Sequence, residues 1–192
     1  MSSKNAYRLI NPYIEGSFDT VVKARNSFSA GKKLYKNIST YFTNPVDNFY
    51  MTIQDLDTKK LSHFKINENR KDKTLVDFNL TKLDGDFSQT LNEKLVRNVD
   101  ELGKQAGGKH KRHHHDDDDD DDSSSSSSDF SSTESLYFPN QPINRFVYFY
   151  LPYYKLNVVG LSPLDINRLY LPMFNLPINP SLEVRVDLYR YY

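Results

Sequence analysis

Cysteine and tryptophan are absent from this 192-residue chain. Without cysteine there is neither a disulfide framework nor a thiolate metal site, which excludes a small secreted disulfide scaffold. No apolar stretch approaches the roughly 18–20 residues that a helix needs to cross a bilayer. Residues 1–20 lack the cationic start and apolar core of a signal segment. The expectation is a soluble intracellular chain without a membrane span. Catalytic signatures are just as sparse: the sequence has no Gly-rich phosphate loop, no nucleophile elbow and no paired catalytic carboxylates. It reads as a non-enzyme that needs no cofactor. Asn37-Ile-Ser39 and Asn79-Leu-Thr81 match glycosylation acceptors, and without a signal segment they are chance matches.

The formal net charge of zero hides a strong asymmetry. Residues 1–112 carry 20 Lys/Arg against 13 Asp/Glu, a net of +7, and residues 113–135 carry none against nine. Residues 136–192 carry five against three. Composition divides the chain at the same places, into a domain over 1–104, a low-complexity linker over 105–135 and a tail over 136–192. The linker runs through Gly107-Gly108, a basic patch, His113 to His115, Asp116 to Asp122 and Ser123 to Ser128. Such homopolymers bury no apolar surface, so nothing offsets the entropy of ordering them, and disorder is expected. The His/Asp run resembles an expression tag, but it has only three His, no Lys closes it and it lies mid-chain, so it reads as native. The tail holds seven of the nine Pro and 13 of the 26 Phe and Tyr residues.

In the first domain, Val21, Ala24, Phe28, Gly31, Tyr35, Ile38 and Phe42 step by threes and fours, which predicts an amphipathic helix from Ser17 to about Phe42. Gly16-Ser17 would cap it and Asn44-Pro45 would end it. Three strands are expected next: Phe49 to Ile53, a return over Leu61 to Ile66 with Phe64 and Ile66 facing one way, and Val76 to Leu80. Ser88 to Leu102 reads as a second helix stopped by Gly103, and a short strand over Tyr7 to Ile10 precedes the first helix. The fold class that follows is α+β. It comprises a small antiparallel sheet of three to four strands with two helices on one face, a disordered linker and an extended β-rich tail. In that tail Leu182, Val184, Val186 and Leu188 alternate with Glu183, Arg185 and Asp187, the cleanest strand pattern of the chain. Arg145 to Tyr154 is a dense aromatic run broken by Pro152.

So much aromatic surface calls for a partner, a second copy, or docking on the chain's own domain. Phe146, Tyr148, Phe149, Tyr150, Tyr153 and Tyr154 are the candidate partner-binding residues. The α-β-β-β-α order resembles the double-stranded RNA-binding domain, and Lys23, Arg25, Lys32, Lys33 and Lys36 would be the nucleic-acid-binding side chains of that alternative. That family's lysine-rich entry to the second helix is replaced here by Phe87-Ser-Gln-Thr-Leu-Asn92. The cluster His110, His113, His114, His115 and Asp116 has metal-competent donors, but without fixed geometry or a second shell no specific metal site is expected. His63 reads as a solvated strand histidine, and Asp55 and Asp57 as turn residues. Ser126 and Ser131 each have an acid three residues later and are candidate phosphorylation sites. The Asp/Ser tract is expected to screen the basic helix against unspecific polyanions in a salt-dependent way.

Several phrases carry a resemblance: Tyr7 to Phe18 (YRLINPYIEGSF), Asn48 to Gln54 (NFYMTIQ), Leu61 to Ile66 (LSHFKI), the basic/acidic-Ser linker, Tyr170 to Phe174 (YLPMF) and Pro180 to Val186 (PSLEVRV). Together they resemble proteins of giant nucleocytoplasmic DNA viruses of the mimivirus-like kind. The richness in Asn, Lys, Ile and Tyr fits an AT-rich genome. The resemblance implies a structural or assembly protein whose partners are viral structural proteins or further copies of itself. It places the protein in the virion or in the host cytoplasm at the viral factory, and it carries no catalytic residues over.

Overall fold

The computed structural model of the chain describes residues 4–44, 48–70, 76–85, 87–107, 141–151, 162, 172–174 and 180–186. Residues 105–107, expected to begin the linker, are the last residues of a helix, and residues 108–135 lie outside the described residues. In chain order the elements are β1 (Asn5–Asn11), β2 (Tyr13–Glu15), β3 (Val21–Ala24), α1 (Ser27–Ser39), β4 (Phe49–Asp55), β5 (Leu61–Arg70), β6 (Val76–Lys82), α2 (Gln89–Gly107), β7 (Arg145–Tyr150) and β8 (Ser181–Val186). The α+β class holds. The sheet is larger than expected, with five antiparallel strands in the order β3-β1-β4-β5-β6, and a second sheet follows the order β2-β7-β8.

The expected first helix is two elements. Its first third is β3, an edge strand paired with β1 from Asn5↔Ala24 to Arg8↔Val21. Val21 and Val22 are β-branched and suit a pleated surface better than a helix. The cap is therefore Asn26 rather than Ser17: its extended backbone breaks the chain direction, and its side chain accepts from the Ser29 N–H at 2.8 Å. α1 closes at Thr40, before Asn44-Pro45. Gly103 does not stop the second helix, which continues to Gly107. A Cβ at Gly103 would meet nothing within 4 Å, so the position tolerates helix and makes no special turn.

The two helices cover opposite faces of the five-stranded sheet, not one face. Strand alternation puts Met51, Phe64 and Leu80 on one side, where Gly31 of α1 lets the helix backbone come close to all three side chains. Register places Thr52 opposite His63, and Arg8 opposite Gln54, on the other side. That side meets α2, since Arg8 pairs with Asp100 at 3.1 Å. The buried stripe Leu95, Val99 and Leu102 is the face that α2 turns inward. Phe64 and Ile66 share the α1 face and are fully buried, as the sequence alternation predicts.

The C-terminal segment is stitched into the first domain. β7 pairs antiparallel with β2 and parallel with β8. The β1–β4 register ends at Asn11↔Thr52, so Tyr50 has no β1 residue opposite it. The Tyr148 hydroxyl fills the gap, accepting from the Tyr50 N–H and donating to the Tyr50 carbonyl, both at 2.9 Å. In return, the buried Asn11 side chain donates to the Phe149 carbonyl and accepts from the Phe149 N–H, again at 2.9 Å. Ring contacts continue the join, from Tyr35 through Phe49 to Tyr148 and among Phe42, Phe146 and Phe174. At the start of β7 the chain passes so close to Gly16 that a Cβ there would lie 2.4 Å from the Pro142 carbonyl oxygen. Gly16 also has φ of 148°, a backbone that side-chain-bearing residues rarely adopt.

Candidate functional site

Of the six aromatic residues expected to bind a partner, four belong to the interior. Phe146, Tyr148, Phe149 and Tyr150 are buried, against Asn11 of β1, Phe49 and Tyr50 of β4, and Phe42 and Phe174, and offer no free surface. The physical reason is backbone satisfaction as much as ring packing: Tyr148 bonds the main chain of Tyr50 in the first sheet, and Asn11 bonds that of Phe149 in the second. Tyr153 and Tyr154 lie outside the described residues, as do Ser126, Ser131, His110, His113 to His115 and Asp116 to Asp122.

The exposed apolar groups of the C-terminal segment lie elsewhere. Met173 is 60% and Leu182 is 42% exposed, and Val21 and Phe28 are the other large apolar side chains in the open among the described residues. Met173 is held by its backbone, which donates to Asn44 Oδ1 at 2.6 Å and accepts from the Thr43 N–H at 2.8 Å. Leu182 sits on β8, the outer strand of the second sheet. On the other face of β8, Glu183 accepts from Arg145 and from Arg185, each at 2.6 Å. Burial pushes the Glu183 carboxyl up, but the hydrogen bonds from Arg185 and Arg145 outweigh it and hold the group below its ordinary value. Arg185 also lies 5.9 Å from the centre of the Phe149 ring.

The basic side chains Lys23, Arg25, Lys32, Lys33 and Lys36 are all exposed, around the end of β3 and the outer face of α1. Lys33 donates to the Lys23 carbonyl at 3.0 Å, and Lys32 sits 4.9 Å above the exposed Phe28 ring. The structure thus ties Lys33 to the end of β3 and leaves all five cations exposed. The topological likeness to the RNA-binding domain is weaker, because three strands precede α1 and the helices lie on opposite faces.

His63 is not solvated. It is 2% exposed, with Nδ1 2.8 Å from the Thr52 hydroxyl and its ring 4.6 Å from that of Phe87. Burial lowers its pKa to about 4, with a hydrogen bond to Asn92 opposing the shift, so the imidazole is neutral at pH 7. It forms part of the floor of a cleft of about 940 Å³ between α2 and the sheet, which Lys60, Arg97 and Asp100 also line. Asp55 serves its turn as expected, accepting from the Asp57 and Thr58 N–H groups at 3.0 Å. The Thr58 N–H is the main cause of its lowered pKa. Among the described residues no three His, Asp or Glu side chains gather as metal ligands, and no helix is long and apolar enough to cross a membrane.

The missed features are the burial of His63 and the Asn11–Phe149 join. Neither has a local signal, since each depends on a segment distant in sequence.

No protein-family model matches the chain, and no solved structure does. Among curated proteins it is similar to "Uncharacterized protein L492" of Acanthamoeba polyphaga mimivirus, with 56% identity over 191 residues that span 100% of both chains. The match spans the whole chain, both sheets, both helices and the linker included. The chain belongs to the giant-virus protein family that includes this mimivirus protein.

Proposed function

We propose that the chain is a non-enzymatic structural or interaction protein of a giant-virus particle or of its assembly, and that it associates through its C-terminal segment. One observation carries this reading. Two of the four large apolar side chains exposed among the described residues, Met173 and Leu182, belong to that segment, beside a strand anchored in the core. An anchored strand presenting apolar groups loses little further entropy when it meets a partner. The aromatic residues of β7 then act as the anchor, and the groups outside it as the contact. Mass spectrometry of purified particles, with the wild-type protein and a Met173→Ser/Leu182→Ser variant compared, tests the reading. Co-purification lost in the variant supports it. Absence of the wild-type protein from particles and assembly intermediates sinks it.

A second reading rests on the basic surface. Five exposed cations on β3, α1 and the turn between them, with Lys32 over the exposed Phe28 ring, suit a phosphate backbone with a stacking base. It makes the protein a nucleic-acid-binding module working through β3 and α1.

A further inference from the structure

We infer that the outer edge of β8 pairs with the same edge of a second copy of this chain, antiparallel and centred on Val184. The inference deepens the proposed association through the C-terminal segment and rests on that reading. Three observations lead to it.

The first is the direction of the backbone groups. The Ser181 N–H donates to the Asn144 carbonyl at 2.8 Å, and β8 runs parallel to β7 from Arg145↔Ser181 to Tyr150↔Val186. In a parallel ladder both main-chain groups of a residue point to the same side, and successive residues alternate. Positions 181, 183 and 185 therefore face β7. The N–H and C=O groups of 182, 184 and 186 face outward, and no described strand pairs with them. An unpaired edge of this kind is a template for another strand.

The second is the pattern of charge. A twofold axis at Val184 sets 184 against 184, 182 against 186 and 183 against 185. The 184–184 and 182–186 pairs are the hydrogen-bonded ones, because their groups already point outward. The 183–185 pair is the non-hydrogen-bonded one, where side chains approach most closely. There Glu183 of each copy meets Arg185 of the other. Moving the axis by one residue in either direction sets Glu183 against Glu183 or Arg185 against Arg185, so like charges oppose both neighbouring registers. The third observation is Leu182, 42% exposed on the opposite face of the strand, which this pairing covers. The product is one six-stranded sheet in the order β2-β7-β8-β8-β7-β2. The contact is isologous and closes as a dimer.

Sedimentation of the full-length chain, wild type and variants, tests this. Val184→Pro removes an outward N–H and leaves the ladder to β7 its donors, so it should weaken dimerisation by at least about tenfold. Glu183→Arg and Arg185→Glu should each be monomeric alone, and an equimolar mixture of the two should dimerise, since both cross-pairs are then opposite in sign. Circular dichroism establishes that each variant is folded, and a Glu183→Arg chain that does not fold leaves Val184→Pro to decide. A wild-type dimer indifferent to Val184→Pro overturns the inference and leaves association through another surface standing. A monomeric wild type overturns it too, and co-purification of that monomer with particles would still support the proposed function.

Discussion

His63 shows what a single buried residue does to the whole protein's response to acid. The unfolded chain takes up a proton near the ordinary histidine value of 6.5, and the folded protein only at about 4. Between those values the unfolded state binds more protons, so stability is intact above 6.5 and falls as the pH drops. By pH 4 this one group has removed about 3 kcal/mol. Denaturation midpoints followed from pH 7 to 4 should show that slope, and His63→Leu, which cannot titrate, should flatten it. Asp55 acts in a lower window. Its depressed pKa gives stability that is present above the unfolded value and lost as the pH falls below about 4. The joining residues act independently of pH. Asn11→Ala leaves a buried N–H and C=O of Phe149 without their partner, at a cost of about 3 kcal/mol, and Tyr148→Phe costs about 2 kcal/mol by the same reasoning. Chemical denaturation of the two variants checks both figures. The turn role of Asp55 was legible locally, whereas the burial of His63 and the join of Asn11 and Tyr148 were not. Alternation alone set His63 on the face opposite Phe64, and that face reads as solvated until α2, some 30 residues later in the chain, is laid over it.

At the scale of elements, the legible parts were those with one dominant period. β4, β5, β6 and α2 have clean alternation or clean helical spacing, and the structure places them where the pattern does. The first helix misled because Val21 and Ala24 extend its three-four spacing by accident. Ala24 is buried in β3 as it would be in a helix, and the pairing with β1 decides the matter. The placement of α2 on the second face was not legible because its apolar stripe fits either face. α1 brings its own prediction. Lys32, Lys33 and Lys36 are exposed and contribute little to folding, so replacing all three with Ala should leave the melting temperature within a few degrees. If the basic surface meets a polyanion, the same variant should flatten the salt dependence of duplex binding by about one unit of log–log slope for each phosphate that is no longer neutralised. Unchanged slopes in filter-binding or anisotropy titrations would remove the nucleic-acid reading.

For the whole molecule, the decisive relation is between the first hundred residues and the strand that returns to them after the linker. Composition set the C-terminal segment apart as an aromatic tail, and its need for company was legible. That the company is this chain's own core was not, because the contacts span 138 residues between Asn11 and Phe149 and 98 between Tyr50 and Tyr148. In the proposed association the contact surface is therefore the edge of β8 and its neighbours, not the buried rings of β7. Native-state hydrogen exchange on the full-length protein measures this directly. The amides of Phe149 and Tyr50, each bonded across the join, should exchange only through global unfolding, at the same free energy as Met51 in the centre of β4. Amides of residues 146–150 exchanging about 100-fold faster than Met51 would mean that the strand opens on its own, and would contradict the account.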